Sequence, residues 1–119
     1  MNNQRKIAVI GLGYVGLPLA VEFAKYHKIV GYDIDIERIT ALIDFEDKTG
    51  EVDKKQLKAI ANNLELVSDI DSITNCDFFI VTVPTPINDE KEPDLGAITS
   101  ASRAVGARLK EGDIVVYES

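Results

Sequence analysis

Three glycines, at positions 11, 13 and 16, and one aspartate, at position 33, are the residues of this chain whose types and spacing could do chemistry. Gly11-Leu12-Gly13-Tyr14-Val15-Gly16 is a G-x-G-x-x-G turn. Glycines recur by chance in any turn-rich protein, so the flanks decide what such a turn means. Ile7-Ala8-Val9-Ile10, apolar and largely β-branched, precede it as a buried strand, and Leu17, Ala20, Val21 and Ala24 follow at helical spacing. A second apolar run, Ile29-Val30-Gly31-Tyr32, ends in Asp33, 22 residues after Gly11. Strand, glycine turn, helix, strand and acid in that order make a cradle for a pyrophosphate and a ribose. The plainer alternative is a glycine-rich turn with no ligand.

Each residue then has a physical task. Gly11 permits the tight turn out of the strand, Gly13 removes a Cβ so that backbone can approach a pyrophosphate, and Gly16 lets helix and strand pack closely. The N–H groups and positive dipole end of the helix starting near Tyr14 face the phosphates. Pro18 falls in the first helical turn, where a missing N–H costs little. The Asp33 carboxylate is placed to accept hydrogen bonds from ribose hydroxyls. An acid there repels a 2′-phosphate, so it favours NAD over NADP.

The elements that must position these residues alternate along the chain. Strands are expected at about 6–10, 29–32, 64–67, 78–83 and 114–117. Helices are expected at about 14–27, from Asp35 with Ile36, Ile39, Leu42 and Ile43 on one face, and from Asp53 with Leu57, Ile60 and Ala61. One or two helical turns fit 69–74, and a last helix shows Ile98, Ala101, Val105 and Leu109 at helical spacing. The run 78–83 is the most apolar, which makes it the candidate for the sheet centre. Alternation of this kind implies right-handed βαβ crossovers and an α/β, Rossmann-type doubly wound parallel sheet ordered 3-2-1-4-5. Such an order reverses between strands one and four, and ligands sit at that reversal beyond the carboxyl ends of the strands. Pro84-Thr85-Pro86 leaves strand four there. Thr85 is either a wall of the nicotinamide-side ribose pocket or a rigid strand terminator. The polar loop 46–52 shows no role.

Composition narrows the function classes. The 119 residues fit one domain, with 45% hydrophobic and 28% charged residues as in an ordinary globular protein. Thirteen basic against twenty acidic residues give a net charge of −7, which argues against nucleic acid as a partner and leaves phosphates to local backbone dipoles. Apolar runs are too short for a membrane span, and Met1 to Lys6 lead into the first strand without a signal-like apolar region. A cytoplasmic location is therefore expected. One cysteine and one histidine offer neither a disulfide nor a metal-ligand cluster. Cys76 precedes strand four at the amino end of the sheet, away from the crevice, and Asp77 beside it would raise its pKa. His27 lies in the turn after the first helix on the same side.

Gly11 to Pro18, Gly31-Tyr-Asp-Ile-Asp35 with Arg38, Val81-Thr-Val-Pro-Thr-Pro86 and the ending Leu109 to Ser119 together resemble the UDP-glucose/GDP-mannose dehydrogenase family. The resemblance runs from about Lys6 to the last residue and is strongest for bacterial members acting on UDP-N-acetylhexosamines or related uronic acids for surface polysaccharides. It implies oxidation of C6 of a nucleotide sugar to the carboxylate, with two NAD per product. It implies that Gly11, Gly13, Tyr14, Val15 and Gly16 line the pyrophosphate, that Asp33 and Arg38 hold the adenosine end, and that Val83, Pro84 and Thr85 flank the cofactor further along. The plainer alternative for Arg38 is a solvated helix residue. It further implies that residues 1–119 are the N-terminal NAD-binding domain of a longer enzyme, truncated after strand five. The catalytic residues, UDP-sugar site and homodimer element would then lie beyond Ser119. Two other readings stay open: a nucleotide-sensing regulatory domain without chemistry, and another β-hydroxyacid-type dehydrogenase.

Overall fold

The computed structural model of the chain describes residues 5–83 and 95–118. Five four-residue strands form one parallel sheet: β1 (Ile7–Ile10), β2 (Ile29–Tyr32), β3 (Leu64–Val67), β4 (Phe78–Val81) and β5 (Ile114–Tyr117). Their order is β3-β2-β1-β4-β5, as the alternation of elements predicts. Ile7 stands in register with both Ile29 and Phe78. The middle strand is therefore β1, and β4 lies beside it. The greater apolarity of 78–83 misplaced the centre by one strand, because β1 and β4 are covered on both faces alike and composition cannot rank them.

The pleat of β1 sends its side chains to two cores. Val9 joins Leu17, Ala20, Val21, Ile39, Leu42, Leu57 and Ile60 on one face, under α1 (Gly16–Ala24), α2 (Ile36–Ile43) and α3 (Lys54–Ala59). Ala8 and Ile10 join Phe79, Val81, Ile73 and Val105 on the other, under a 3₁₀ turn at Ile70–Ile73 and α4 (Gly96–Gly106). Helices on both faces of an open parallel sheet are the doubly wound arrangement.

The elements are shorter than the periodicity suggested. The first helix spans Gly16–Ala24 and not 14–27, since Gly13 and Tyr14 belong to the turn and residues 25–27 close with bonds such as His27 N to Phe23 O. On α2 only Ile39 and Leu42 are buried, and Ile36 and Ile43 face outward. Leu109 lies past the end of α4 and is exposed, and Ala61 past the end of α3 is exposed too. Aspartates start three of the elements: Asp35 accepts from Glu37 N and Arg38 N, Asp53 forms a capping box with Gln56, and Asp69 accepts from Asp71 N. The N-cap of α1 is Val15, whose side chain caps nothing.

Candidate functional site

The glycine turn leaves the carboxyl end of β1 and is gripped there from four directions. Gly11 has φ +98°, a left-handed conformation that a side chain would resist, and this is what the tight turn required. Gly16 sits where a Cβ would come within 1.8 Å of Gly11 O and 2.4 Å of Thr82 Oγ1. Its smallness therefore closes the turn on itself and on the end of β4, a tighter constraint than helix-on-strand packing. Gly13 is the opposite case: among the described residues, no heavy atom lies within 4 Å of a Cβ built there. The space above Gly13 is open, as the approach of a ligand to the backbone demands.

Leu12, between these glycines, is held at both of its backbone groups. Its N–H donates to Asp33 Oδ2 at 2.8 Å, and its carbonyl accepts from Arg38 Nε at 2.8 Å. Asp33 lies at the end of β2, and Asp33 N–H donates to Val67 O. Its second oxygen, Oδ1, accepts from Asp35 N–H at 2.9 Å, so one carboxylate ties β2, the start of α2 and the glycine turn together. A carboxylate has about four lone-pair positions, and two remain for a ribose.

Arg38 is not spread over open surface. Its side chain is only 10% exposed, and its Nη1 donates to Asp47 Oδ1 at 2.8 Å. Its Nη2 is buried and has no hydrogen-bond partner among the described residues. Asp47 comes from the loop 46–52, to which sequence reasoning attached no role. Its side chain is fully buried and accepts five hydrogen bonds, from Arg38, Thr49 N–H, Thr49 Oγ1, Glu51 N–H and Val52 N–H. Burial alone would push Asp47 up, but hydrogen bonds from Thr49, Arg38 and Val52 outweigh it and hold the carboxyl at about 2. The signal was present in Asp47-Lys-Thr-Gly50, an aspartate poised to close a turn on its own following backbone.

Thr82 is the other residue that sequence reasoning missed. It is 5% exposed, and its hydroxyl lies 2.6 Å from Gly11 O and 3.1 Å from Ile10 O. A hydroxyl in so apolar a run needs a partner, and that need was the legible signal. Val83, half-buried, packs against Gly11 from the same end of β4. Pro84 and Thr85 lie outside the described residues. Tyr14 is exposed at the lip of the turn, and Val15 stands at the N-cap position of α1 without capping it. Among the described residues the glycine turn is thus an open rim. Two concavities elsewhere, about 160 Å³ beside Leu42, Phe45 and Leu57 and about 300 Å³ beside Val21, Lys25 and Asn63, gather no comparable set of polar groups.

Cys76 lies at the opposite end of the sheet, two residues before β4, and is buried. Burial, then Asp77, pushes its thiol up to about 11, against the pull of Lys6 and Lys110. The sequence reading named Asp77, but desolvation is the larger cause. His27 is exposed at that same end.

Residues 5–119 match the model of the UDP-glucose/GDP-mannose dehydrogenase family, NAD binding domain. UDP-N-acetyl-D-glucosamine 6-dehydrogenase of Pseudomonas aeruginosa is 52% identical over 114 residues, which are 96% of this chain and 27% of that protein. Protein CapL of Staphylococcus aureus is 46% identical over 115 residues, again 27% of its length. The solved UDP-D-ManNAc dehydrogenase of Pyrococcus horikoshii superposes with a TM-score of 0.88 at 34% identity, over 96% of this chain and 28% of that one. The chain therefore spans about a quarter of the length of these relatives. With its strand order, its glycine turn and that match over nearly all of its residues, the chain belongs to the UDP-glucose/GDP-mannose dehydrogenase family and corresponds to its NAD-binding domain.

Proposed function

We propose that this chain holds NAD at the glycine turn for a nucleotide-sugar 6-dehydrogenase that oxidises C6 of a UDP-N-acetylhexosamine. The observation that carries the site is the double grip on Leu12 beside an open Gly13. Asp33 and Arg38 fix the N–H and the carbonyl of one residue, and the adjacent backbone is left free for a pyrophosphate. NAD, when bound, supplies the hydride acceptor. The chain's own residues bind and orient it: Gly11, Gly13, Tyr14, Val15 and Gly16 around the pyrophosphate, the remaining lone pairs of Asp33 on the ribose, and Val83, Pro84 and Thr85 further along. Arg38 serves the adenosine end from beneath the turn, bracing Leu12. The choice of a UDP-N-acetylhexosamine follows the relatives' names, and surface polysaccharide as its destination is what the family resemblance implies.

The same reading gives residues 1–119 the cofactor half of the work. The residues that meet the UDP-sugar and carry the chemistry would come from the remainder of a protein as long as its relatives, which would work as a homodimer in the cytoplasm. Among the described residues no helix is long and apolar enough to cross a membrane. Cys76, buried at the wrong end of the sheet with its thiol held up, does not serve as a nucleophile.

The test is calorimetric titration of the chain with NAD and NADP, for wild type and Gly13→Val, alongside NADH absorbance with a panel of UDP-hexoses. Wild type should bind NAD more tightly than NADP. Because Gly13 has no positive φ and open space around it, Gly13→Val should keep the apo melting temperature and lose NAD binding. Normal NAD binding by a folded Gly13→Val would move the phosphate site elsewhere. NADH formation by this chain alone would overturn the assignment of catalysis to other segments.

A further inference from the structure

Arg38 places a guanidinium within hydrogen-bond reach of the turn that carries the cofactor, and a free cation there would attract a 2′-phosphate. Its actual situation is constrained. Nε is spent on Leu12 O, Nη1 on Asp47 Oδ1, and the side chain is nine-tenths buried. Asp47 is itself immobilised by four further donors, Thr49 N–H and Oγ1, Glu51 N–H and Val52 N–H, at 2.6 to 2.9 Å. The loop 46–52 thus works as a socket that presents one fixed negative charge to one arginine. We infer that Asp47 is a positioning residue for cofactor choice, holding Arg38 beneath the glycine turn so that Asp33, and not the arginine, faces the ribose hydroxyls.

The physical reasoning is a balance of two charges. With Asp47 in place, the guanidinium is neutralised and its geometry is set by a charge-assisted bond, the strong kind. Asp33 then acts without competition and repels a 2′-phosphate. With Asp47 removed, Arg38 keeps only its bond to Leu12 O and carries an uncompensated charge, which is costly in a buried position and drives the side chain toward solvent and any available anion. A phosphate on the ribose is such an anion. The buried Nη2, without a partner among the described residues, becomes a second donor for such an anion once the side chain swings out.

This inference rests on the reading that NAD occupies the glycine turn, and the experiment separates the two. NAD and NADP dissociation constants are measured by calorimetry for wild type, Asp47→Ala, Arg38→Ala and the double variant, with circular dichroism confirming each fold. The preference of wild type for NAD should fall about tenfold in Asp47→Ala, the worth of one charge-assisted contact. Asp47→Ala should leave the preference unchanged in the Arg38→Ala background, because the effect runs through the arginine. A merely structural role for the loop would weaken both cofactors alike and leave their ratio untouched, and that outcome overturns the inference. So does a shift of equal size without Arg38. Should Asp47→Ala not fold, Asp47→Asn removes the charge at constant size and must show the same drop in preference. Wild type binding neither cofactor would instead overturn the reading of the site, and the inference with it.

Discussion

The two ends of the sheet use the same chemistry to different effect. At the amino end, Asp77 accepts from Lys6 N–H at 2.7 Å, joining β4 to the residue before β1, and Arg5 stands 3.9 Å from its other oxygen with both side chains about 40% exposed. At the carboxyl end, Asp33 accepts from Leu12 N–H at 2.8 Å, and the arginine behind it pairs with an aspartate at 2.8 Å with side chains 10% and 0% exposed. One end is a solvated staple. The other is a closed network of side chains from β2, α2, the loop 46–52 and β4 converging on a single turn. The difference teaches that a carboxylate holding a backbone N–H is not by itself a mark of a site. What marks the site is burial of the network behind it, together with a stretch of backbone deliberately left uncovered at Gly13.

The strongest way to break this comparison is at Gly16. A methyl group added there would overlap Gly11 O, which is backbone and cannot swing away, and Thr82 Oγ1. Gly16→Ala should cost at least about 3 kcal/mol, as overpacking against fixed atoms does in its severe cases. Urea denaturation measures it, and a variant as stable as wild type would show that the turn is looser than its geometry.

Acid sharpens the comparison by removing the charge at the centre of the buried network. Asp47 titrates near 2 in the folded chain, below its ordinary 3.8. Its stabilising contribution is therefore complete above about pH 4 and is lost as pH falls through about 2. A shift of that size corresponds to a contribution of about 2 kcal/mol. Urea midpoints measured from pH 5 to pH 2 should fall more steeply for wild type than for Asp47→Asn. Equal slopes would mean that Asp47 does not hold its proton off in the native state.

The smallest effect belongs to the amino end. Asp77→Ala removes a solvent-exposed acceptor and a long ion pair, leaving Lys6 N–H to water. It should cost no more than about 1 kcal/mol and leave NAD affinity unchanged. A loss of NAD binding in that variant would erase the distinction between the two ends.

Local pattern settled much of this protein. The bounds of β2, β3 and β5 are legible because each is a short, mostly apolar run between polar turn residues, with Glu65 the one charge in β3, and strand order follows once strands alternate with helices. Gly11, Gly16 and Asp33 are legible for a similar reason: backbone turns and close approaches admit few residue types, so spacing alone points to them. What only the tertiary structure decided is which polar groups meet. Arg38 finds Asp47 nine residues away and Leu12 at 26, and Thr82 finds Gly11 at 71. Nothing in their spacing favours those pairs over solvent. Ile36 and Ile43 continue the apolar pattern of α2 yet face outward, because burial depends on what packs opposite a helix and not on the helix itself. The centre of the sheet, the socket at Asp47 and the lock at Thr82 all come from separations that only the closed fold brings within hydrogen-bond distance, where burial makes each unmet polar group costly and so selects its partner.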